Sequence, residues 1–275
     1  MLGNPFTFRQ NDVDFFGKIY PSKKVNAVVI IVHGLGDHLG RYEDFVIPEL
    51  LNNDFSVLAY DQFGHGKTKG KRGYNPGFDQ VLESLHIVVK KAVEMFPQKP
   101  IFLYGHSMGG NVVLNYALRS PELIQGIVLS SPFLRLAFSP PAWKLQLGKL
   151  ALKFFPGITM GNELDPKALS HDPKAVEKYL ADPLVHDKVS PNYSIRFLES
   201  GEWAIENIDF LKLNALVLHG TADMLTDHLA SVEISKKNPK KIKLQLYPDG
   251  YHELHNEALK ETFLKDICTW INKNL

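Results

Sequence analysis

One cysteine stands in 275 residues, Cys268, so no disulfide can form within the chain. It lies on the apolar face of a helical pattern over 263–271 and reads as a core residue rather than a reactive thiol. Charge of one sign is equally scarce, with 31 Lys and Arg against 30 Asp and Glu and a formal net charge of +1. Without a basic excess there is no field to attract a phosphate backbone, which excludes a nucleic-acid partner. No uncharged apolar run approaches the roughly 18 residues that a membrane-spanning helix requires. No basic stretch followed by an apolar one opens the chain, so no secretory signal is expected, and Leu2 in place of glycine excludes N-myristoylation. The expected location is cytoplasmic, with peripheral contact at membranes left open.

What is present is a regular alternation. Residues 6–20 read as a β-hairpin turning at Asn11-Asp12. Continuous apolar runs over 27–32, 55–60, 101–104 and 124–129 read as strands covered on both faces, and two more follow at 215–219 and 242–247. Helical patterns over 42–51, 78–95, 108–118, 227–237 and 253–272 lie between and after them. Strand–helix alternation of this kind predicts an α/β fold with a mostly parallel, doubly covered sheet, its functional loops at the carboxyl ends of the strands.

One segment breaks the alternation. The stretch from 133 to 208 is far beyond the roughly 12–15 residues at which connections already become uncommon. Within it Pro140-Pro141 opens a helix whose Trp143, Leu147, Leu150 and Phe154 form one apolar stripe, with Lys144, Lys149 and Lys153 outside it. We read the insertion as a helical cap over the active-site edge of the sheet. Packing of the stripe between cap and core is the first expectation; lining an acyl pocket or dipping into a lipid surface is the second.

Gly105-His106-Ser107-Met108-Gly109 sits between the strand and the helix of its region. G-x-S-x-G in that setting is a nucleophile elbow, a turn so sharp that the serine is strained and its Oγ exposed. The α/β-hydrolase arrangement then requires an acid and a base, in that order, on later loops. Asp223 follows the strand 215–219 and His252 follows the last strand, so order and position fit. Asp227 and Asp249 are rival acids and His255 a rival base, but Asp227 suits a helix cap, Asp249 a Pro-Asp-Gly turn, and His255 a place inside the last helix. An oxyanion hole needs two backbone N–H groups; Met108 supplies one, and Leu35 in His33-Gly34-Leu35-Gly36 is the candidate for the other. His33 reads as a structural hydrogen-bonder of that loop, and His86, His171, His186, His219 and His228 as packing or surface residues. The domain reading is therefore 1–132 and 209–275 as the two parts of an α/β-hydrolase core, with 133–208 as the cap.

Other chemistries fail on spacing. His252-Glu253-Leu254-His255 places its histidines at i, i+3, whereas the zinc-protease helix needs H-E-x-x-H, so no metal is expected. Gly66-Lys67-Thr68 resembles the end of a phosphate loop, but Asp61 stands where that loop requires glycine.

Taken together, these residues resemble the monoacylglycerol lipase family of serine hydrolases. The resemblance rests on His33-Gly34-Leu35-Gly36-Asp37-His38-Leu39-Gly40-Arg41-Tyr42, on Asp61-Gln62-Phe63-Gly64-His65-Gly66, on the elbow, on Gly220-Thr221-Ala222-Asp223 and on Tyr251-His252-Glu253-Leu254-His255-Asn256-Glu257. It extends into the insertion at Lys153-Phe154-Phe155-Pro156 and Tyr179-Leu180-Ala181-Asp182-Pro183-Leu184. It implies an apolar tunnel for one acyl chain and a narrow polar exit for glycerol, arranged by residues at the positions of Asp37, Arg41, Tyr179 and His255. Asp37 departs from the glutamate of the mammalian members, and with Arg41 it reads equally as a local ion pair holding the loop. The implied reaction is cleavage of a monoacylglycerol through an acyl-enzyme, without a cofactor. A lysophospholipase or broad short-chain carboxylesterase is the alternative on the same scaffold. A non-catalytic lipid-binding protein would lack a triad residue, and none is lacking.

Overall fold

Asn11 and Asp12 both take positive φ, 47° and 60°, which their short polar side chains tolerate and which a two-residue hairpin turn requires. They join β1 (Asn4–Gln10) to β2 (Val13–Tyr20). The computed structural model describes residues 3–275, so Leu2, read above for myristoylation, lies outside the described residues.

The alternation follows as expected: β3 (Ala27–Val32), α1 (Val46–Asn52), β4 (Phe55–Tyr60), α2 (Phe78–Met95), β5 (Ile101–His106), α3 (Met108–Arg119) and β6 (Gly126–Ser130). The insertion carries α4 (Ala142–Phe154), β7 (Met160–Gly161), α5 (Pro173–Ala181), β8 (Lys188–Val189) and α6 (Pro191–Glu206). Then β9 (Asn214–Gly220), α7 (His228–Lys237), β10 (Ile242–Tyr247) and α8 (Lys260–Lys273) close the chain.

Eight strands form one sheet in the order β1-β2-β4-β3-β5-β6-β9-β10. From β4 to β10 all neighbours are parallel, and only β2 of the hairpin runs against them. The two-residue period of a strand splits β3 between two cores. Val28, Ile30 and Val32 join the side chains of α2 and α3 on one face. Ala27, Val29 and Ile31 join those of α1 and α8 on the other. The loop after β3 thus leads to one face and the turn after β5 to the opposite one. Adjacent strands whose connections diverge leave a crevice at their carboxyl ends, where α/β sheets bind ligands.

Three of the boundaries that differ from the sequence reading have a cause in local contacts. The helix expected over 42–51 begins only at Val46, because Tyr42 ends a 3-10 turn and its buried hydroxyl donates to Asp37 at 2.9 Å. The strand expected from 124 begins at Gly126, after a turn in which Ile124 N–H donates to Pro121 O. The helix expected over 253–272 is two pieces, a 3-10 turn at Leu254–Asn256 and α8 from Lys260. Outside partners hold the first piece: Glu253 N–H donates to Leu169 O at 2.8 Å, and the Glu257 carboxylate accepts His171 N–H at 2.7 Å. His255 is therefore in a turn rather than inside the last helix.

The apolar stripe of α4 does not pack on the core. No residue of α4 is buried, and Trp143 and Leu147 are 64% and 55% exposed. The helix rests instead on α6 of the insertion, where Ile195 closes on Gly148. No helix among the described residues is long and apolar enough to cross a membrane.

Candidate active site

Ser107 takes φ 54° and ψ −118°, a strained conformation for a side chain with a Cβ. The two motif glycines make the turn possible. A Cβ at Gly105 would overlap Gly109 O, and a Cβ at Gly109 would overlap Val32 O. The serine backbone is tied down on both sides: its N–H donates to Ser130 O, and its carbonyl accepts from Phe133 N–H, each at 2.9 Å. Asn111, one turn into α3, donates to Phe133 O and to Phe197 O of α6, joining the elbow helix to the insertion.

The loop after β3 is shaped by two buried histidines. His33 Nε2 accepts Gln62 N–H at 3.0 Å, which leaves Nδ1 to donate to Gly34 O at 2.8 Å. His65 Nε2 accepts Gly36 N–H at 2.9 Å and its Nδ1 donates to Phe63 O. Burial holds both rings below the ordinary imidazole range, so both remain neutral and keep these tautomers. From the insertion, His186 N–H donates to Gly36 O at 3.1 Å. Leu35 lies inside this frame, and among the described residues neither its N–H nor that of Met108 has a protein acceptor. Two such donors beside one serine can stabilise an oxyanion.

Asp223 is a hub for five donors. Its Oδ1 accepts from Leu225 and Thr226 N–H at 2.8 and 3.0 Å. Its Oδ2 faces His252 Nδ1 at 2.7 Å, Thr226 Oγ1 at 2.8 Å and His219 Nε2 at 3.1 Å. Burial alone would raise this carboxyl, but His252 and the converging donors outweigh it and hold it well below the usual range. The same contact acts on the base: burial would lower His252, and Asp223 instead lifts it above its ordinary value. The His252 carbonyl accepts Ser131 Oγ at 2.8 Å, which fixes its loop. The rivals have other partners; Asp227 caps α7 by accepting Leu229 N–H at 2.9 Å, and Asp249 lies in its turn at positive φ.

Ser107, His252, Leu35 and Met108 line one cavity of about 940 Å³. Apolar side chains of the insertion supply much of its wall, among them Leu136, Trp143, Leu147, Ile195 and Leu198. Asp37, Arg41 and Tyr179 line it too, together with Glu253. Arg41 Nη1 and Nη2 donate to the two Glu253 oxygens at 2.7 Å each, Nη1 lies 3.3 Å from Asp37 Oδ1, and the guanidinium stands over the Tyr179 ring. His255 is not among the lining residues. It is buried between the rings of Tyr42 and His106, and burial pushes it down to about 4.

Two residues with direct roles in this geometry escape sequence reading. His219 looks like a strand-end packing residue, yet it donates into Asp223. Glu253 sits inside the H-E-L-H stretch, where its only sequence signal is a failed metal pattern.

A serine on a strained strand-to-helix turn, beside a buried Asp–His pair and two unpaired N–H groups, defines a serine ester hydrolase on an α/β-hydrolase fold. The sequence profile of the Hydrolase_4 family, described as serine aminopeptidase S33, matches residues 23–258. An uncharacterized abhydrolase domain-containing protein of Dictyostelium discoideum is 33% identical over 93% of this chain, which spans only 27% of that protein. Monoglyceride lipase of Rattus norvegicus is 31% identical over 93% of this chain and 85% of its own. The crystal structure of Paleococcus ferrophilus monoacylglycerol lipase superposes with a TM-score of 0.88 at 32% identity, covering 95% of this chain and 99% of that one. The chain belongs to the Hydrolase_4 family and, within it, to the monoacylglycerol lipase family.

Proposed function

We propose that this protein cleaves monoacylglycerols to a fatty acid and glycerol, with Ser107 as nucleophile, His252 as base and Asp223 as the carboxylate that orients it. His252 Nε2 takes the Ser107 proton as Oγ attacks the ester carbonyl. The N–H groups of Leu35 and Met108 receive the developing oxyanion; losing one such donor typically costs roughly 10²–10³ in rate. Collapse of the tetrahedral intermediate expels glycerol, which leaves with the proton held on His252. A water, deprotonated by the same imidazole, then releases the fatty acid and restores the serine. Asp223 holds the tautomer with Nδ1–H and stabilises the imidazolium. No cofactor enters these steps.

The carrying observation is the shared cavity, in which an apolar wall and the Asp37–Arg41–Tyr179–Glu253 group meet at one serine. An apolar wall suits one acyl chain, and its volume is near the top of the roughly 300–1,000 Å³ typical of small-molecule pockets. On this reading residues 133–208 act as a cap on a core formed by 1–132 and 209–275. His255, behind the cavity wall, supports the polar end through Tyr42 rather than by touching glycerol.

A turnover panel tests the substrate. Monoacylglycerols of increasing chain length are expected to outpace di- and triacylglycerols, lysophosphatidylcholine and an amino-acid anilide by at least tenfold in kcat/KM. Lysophosphatidylcholine or short-chain esters ahead of every monoacylglycerol would replace this reading with the lysophospholipase or carboxylesterase alternative.

The exposed C-terminal end of α4 and the turn after it support peripheral contact with lipid. Phe154, Phe155 and Ile158 stand 59%, 67% and 47% exposed beside Lys149 and Lys153, an interfacial arrangement of apolar and basic residues. Phe154 and Phe155 do not line the cavity. Changing both to Ser is therefore expected to reduce flotation with phospholipid vesicles several-fold while leaving hydrolysis of a dispersed short-chain ester unchanged. Equal flotation of variant and wild type would remove the contact.

A further inference from the structure

The Nη1–Nη2 edge of Arg41 is not open to a bound substrate. Both terminal nitrogens are taken by the two oxygens of Glu253, Nη1 also leans on Asp37, and the flat face of the guanidinium is covered by Tyr179. The side chain of Arg41 is 7% exposed and those of Asp37 and Glu253 are each 4% exposed, so the three charges face one another with little water between. Burial alone would neutralise Glu253, and the guanidinium keeps it ionised instead. Two carboxylates against one guanidinium leave this part of the cavity with one net negative charge. Asp182, another carboxylate of the lining, lies 2.9 Å from His38 Nε2.

The headgroup of an ester must meet this cluster. The departing alcohol takes its proton from the imidazole that received the serine's, so it leaves on the His252 side. Glu253 follows His252 directly and lines the same cavity. A phosphate there would need a free guanidinium or ammonium, the groups that bind it as a fork or a point charge. It would instead meet a guanidinium already occupied and an excess carboxylate in a poorly screened site. An uncharged polyol carries no charge to be repelled and can donate its hydroxyls to these carboxylates.

We propose that Glu253, by clasping the Nη1–Nη2 edge of Arg41 and with Asp37 leaving an excess carboxylate beside it, selects the headgroup by charge, so that the site admits an uncharged glycerol ester and rejects one that carries a phosphate. The assignment rests on the ester-hydrolase reading above and adds to it the residue that sets the headgroup class.

The test compares 1-oleoylglycerol with 1-oleoylglycerol 3-phosphate in the same detergent micelles. The two share acyl chain and scissile bond, so the ratio of their kcat/KM values cancels damage to the chemical step. Wild type is expected to favour the uncharged ester strongly. Glu253→Gln frees Arg41 and is expected to reduce that preference at least tenfold. Asp37→Asn leaves the Arg41–Glu253 clasp in place and removes only the excess charge, so a smaller reduction of about threefold is expected. Adding Arg41→Met to Glu253→Gln removes the freed cation and should restore the preference. A ratio that stays within twofold of wild type in both single variants overturns the assignment, and if Glu253→Gln does not fold, Asp37→Asn decides alone. Wild type that hydrolyses neither ester would remove the ester-hydrolase reading itself, and this assignment with it.

Discussion

Asp223→Asn is expected to lower kcat by about 10⁴-fold while leaving the fold intact, the scale seen when a triad carboxylate becomes an amide. The reason lies in which oxygen the amide nitrogen must replace. Oδ1 accepts two backbone N–H groups that cannot turn away, so the amide oxygen is drawn to that side. The NH₂ then faces His252 Nδ1, His219 Nε2 and Thr226 Oγ1. A donor opposite Nδ1 forces His252 into the tautomer that carries its proton on Nε2. That nitrogen can no longer take the serine proton. The pH profile supplies a second readout. Asp223 holds His252 above the ordinary 6.5 against the downward pull of burial, and only the neutral ring is a base. Wild-type kcat/KM is therefore expected to rise with pH along a limb centred above 6.5. In the Asn variant only the weaker pulls of Glu253 and Asp37 still oppose burial, so the residual limb should move to lower pH. The linked stability has the same sign: the raised His252 contributes stability fully present below about pH 6.5 and lost as pH rises through its folded pKa. An Asn variant with near wild-type turnover and an unmoved limb would show that another carboxylate orients the base.

The sheet was legible because its signals are local. Continuous apolar runs mark doubly covered strands, and the turn at Asn11-Asp12, the elbow at Ser107 and the cap at Asp227 are each written within a few residues. The order Ser107, Asp223, His252 could be read for the same reason, since each follows a recognisable strand. What could not be read depends on contacts between distant segments. Glu253 meets Arg41 across the sheet edge, and the turn at 254–256 replaces a helix because residues 169–171 of the insertion supply its partners. His219 shares the pattern of any buried strand end until Asp223 folds back onto it. The stripe on α4 misled for a related reason: spacing fixes that its residues share a face, but not whether a core or open space lies beside that face. His255 was placed by its motif beside the headgroup, and the intervening rings of His106 and Tyr42 put it behind the wall instead.

Removing the Ser107 hydroxyl is expected to abolish turnover, by about 10⁶-fold if this serine behaves as nucleophiles of triad enzymes do. Ser107→Ala and Ser107→Gly should be equally inactive, and both should fail to react with a fluorophosphonate probe. Their stabilities should differ in an unusual direction. Glycine is ordinarily less stable than alanine by roughly 0.5–1 kcal/mol, because its unfolded chain has more freedom to lose. Here the backbone stands at φ 54° and ψ −118°, a conformation that glycine reaches freely and any residue with a Cβ does not. Strain of this kind costs on the order of 1–3 kcal/mol, and alanine keeps it because the Cβ remains. The two effects oppose each other, and strain is the larger. Ser107→Gly is therefore expected to melt above Ser107→Ala by about 1 kcal/mol, a few degrees at this chain length. The neighbours hold the turn in either variant, since Gly105 and Gly109 still allow the close crossing and Ser130 and Phe133 still bond the backbone. Thermal unfolding of the two purified variants decides the point. Glycine melting below alanine would mean that the elbow stores no strain at Ser107. The expected order would mean that the fold gives up stability at this one position to keep the hydroxyl exposed at the end of β5, in the cavity that His252 also lines.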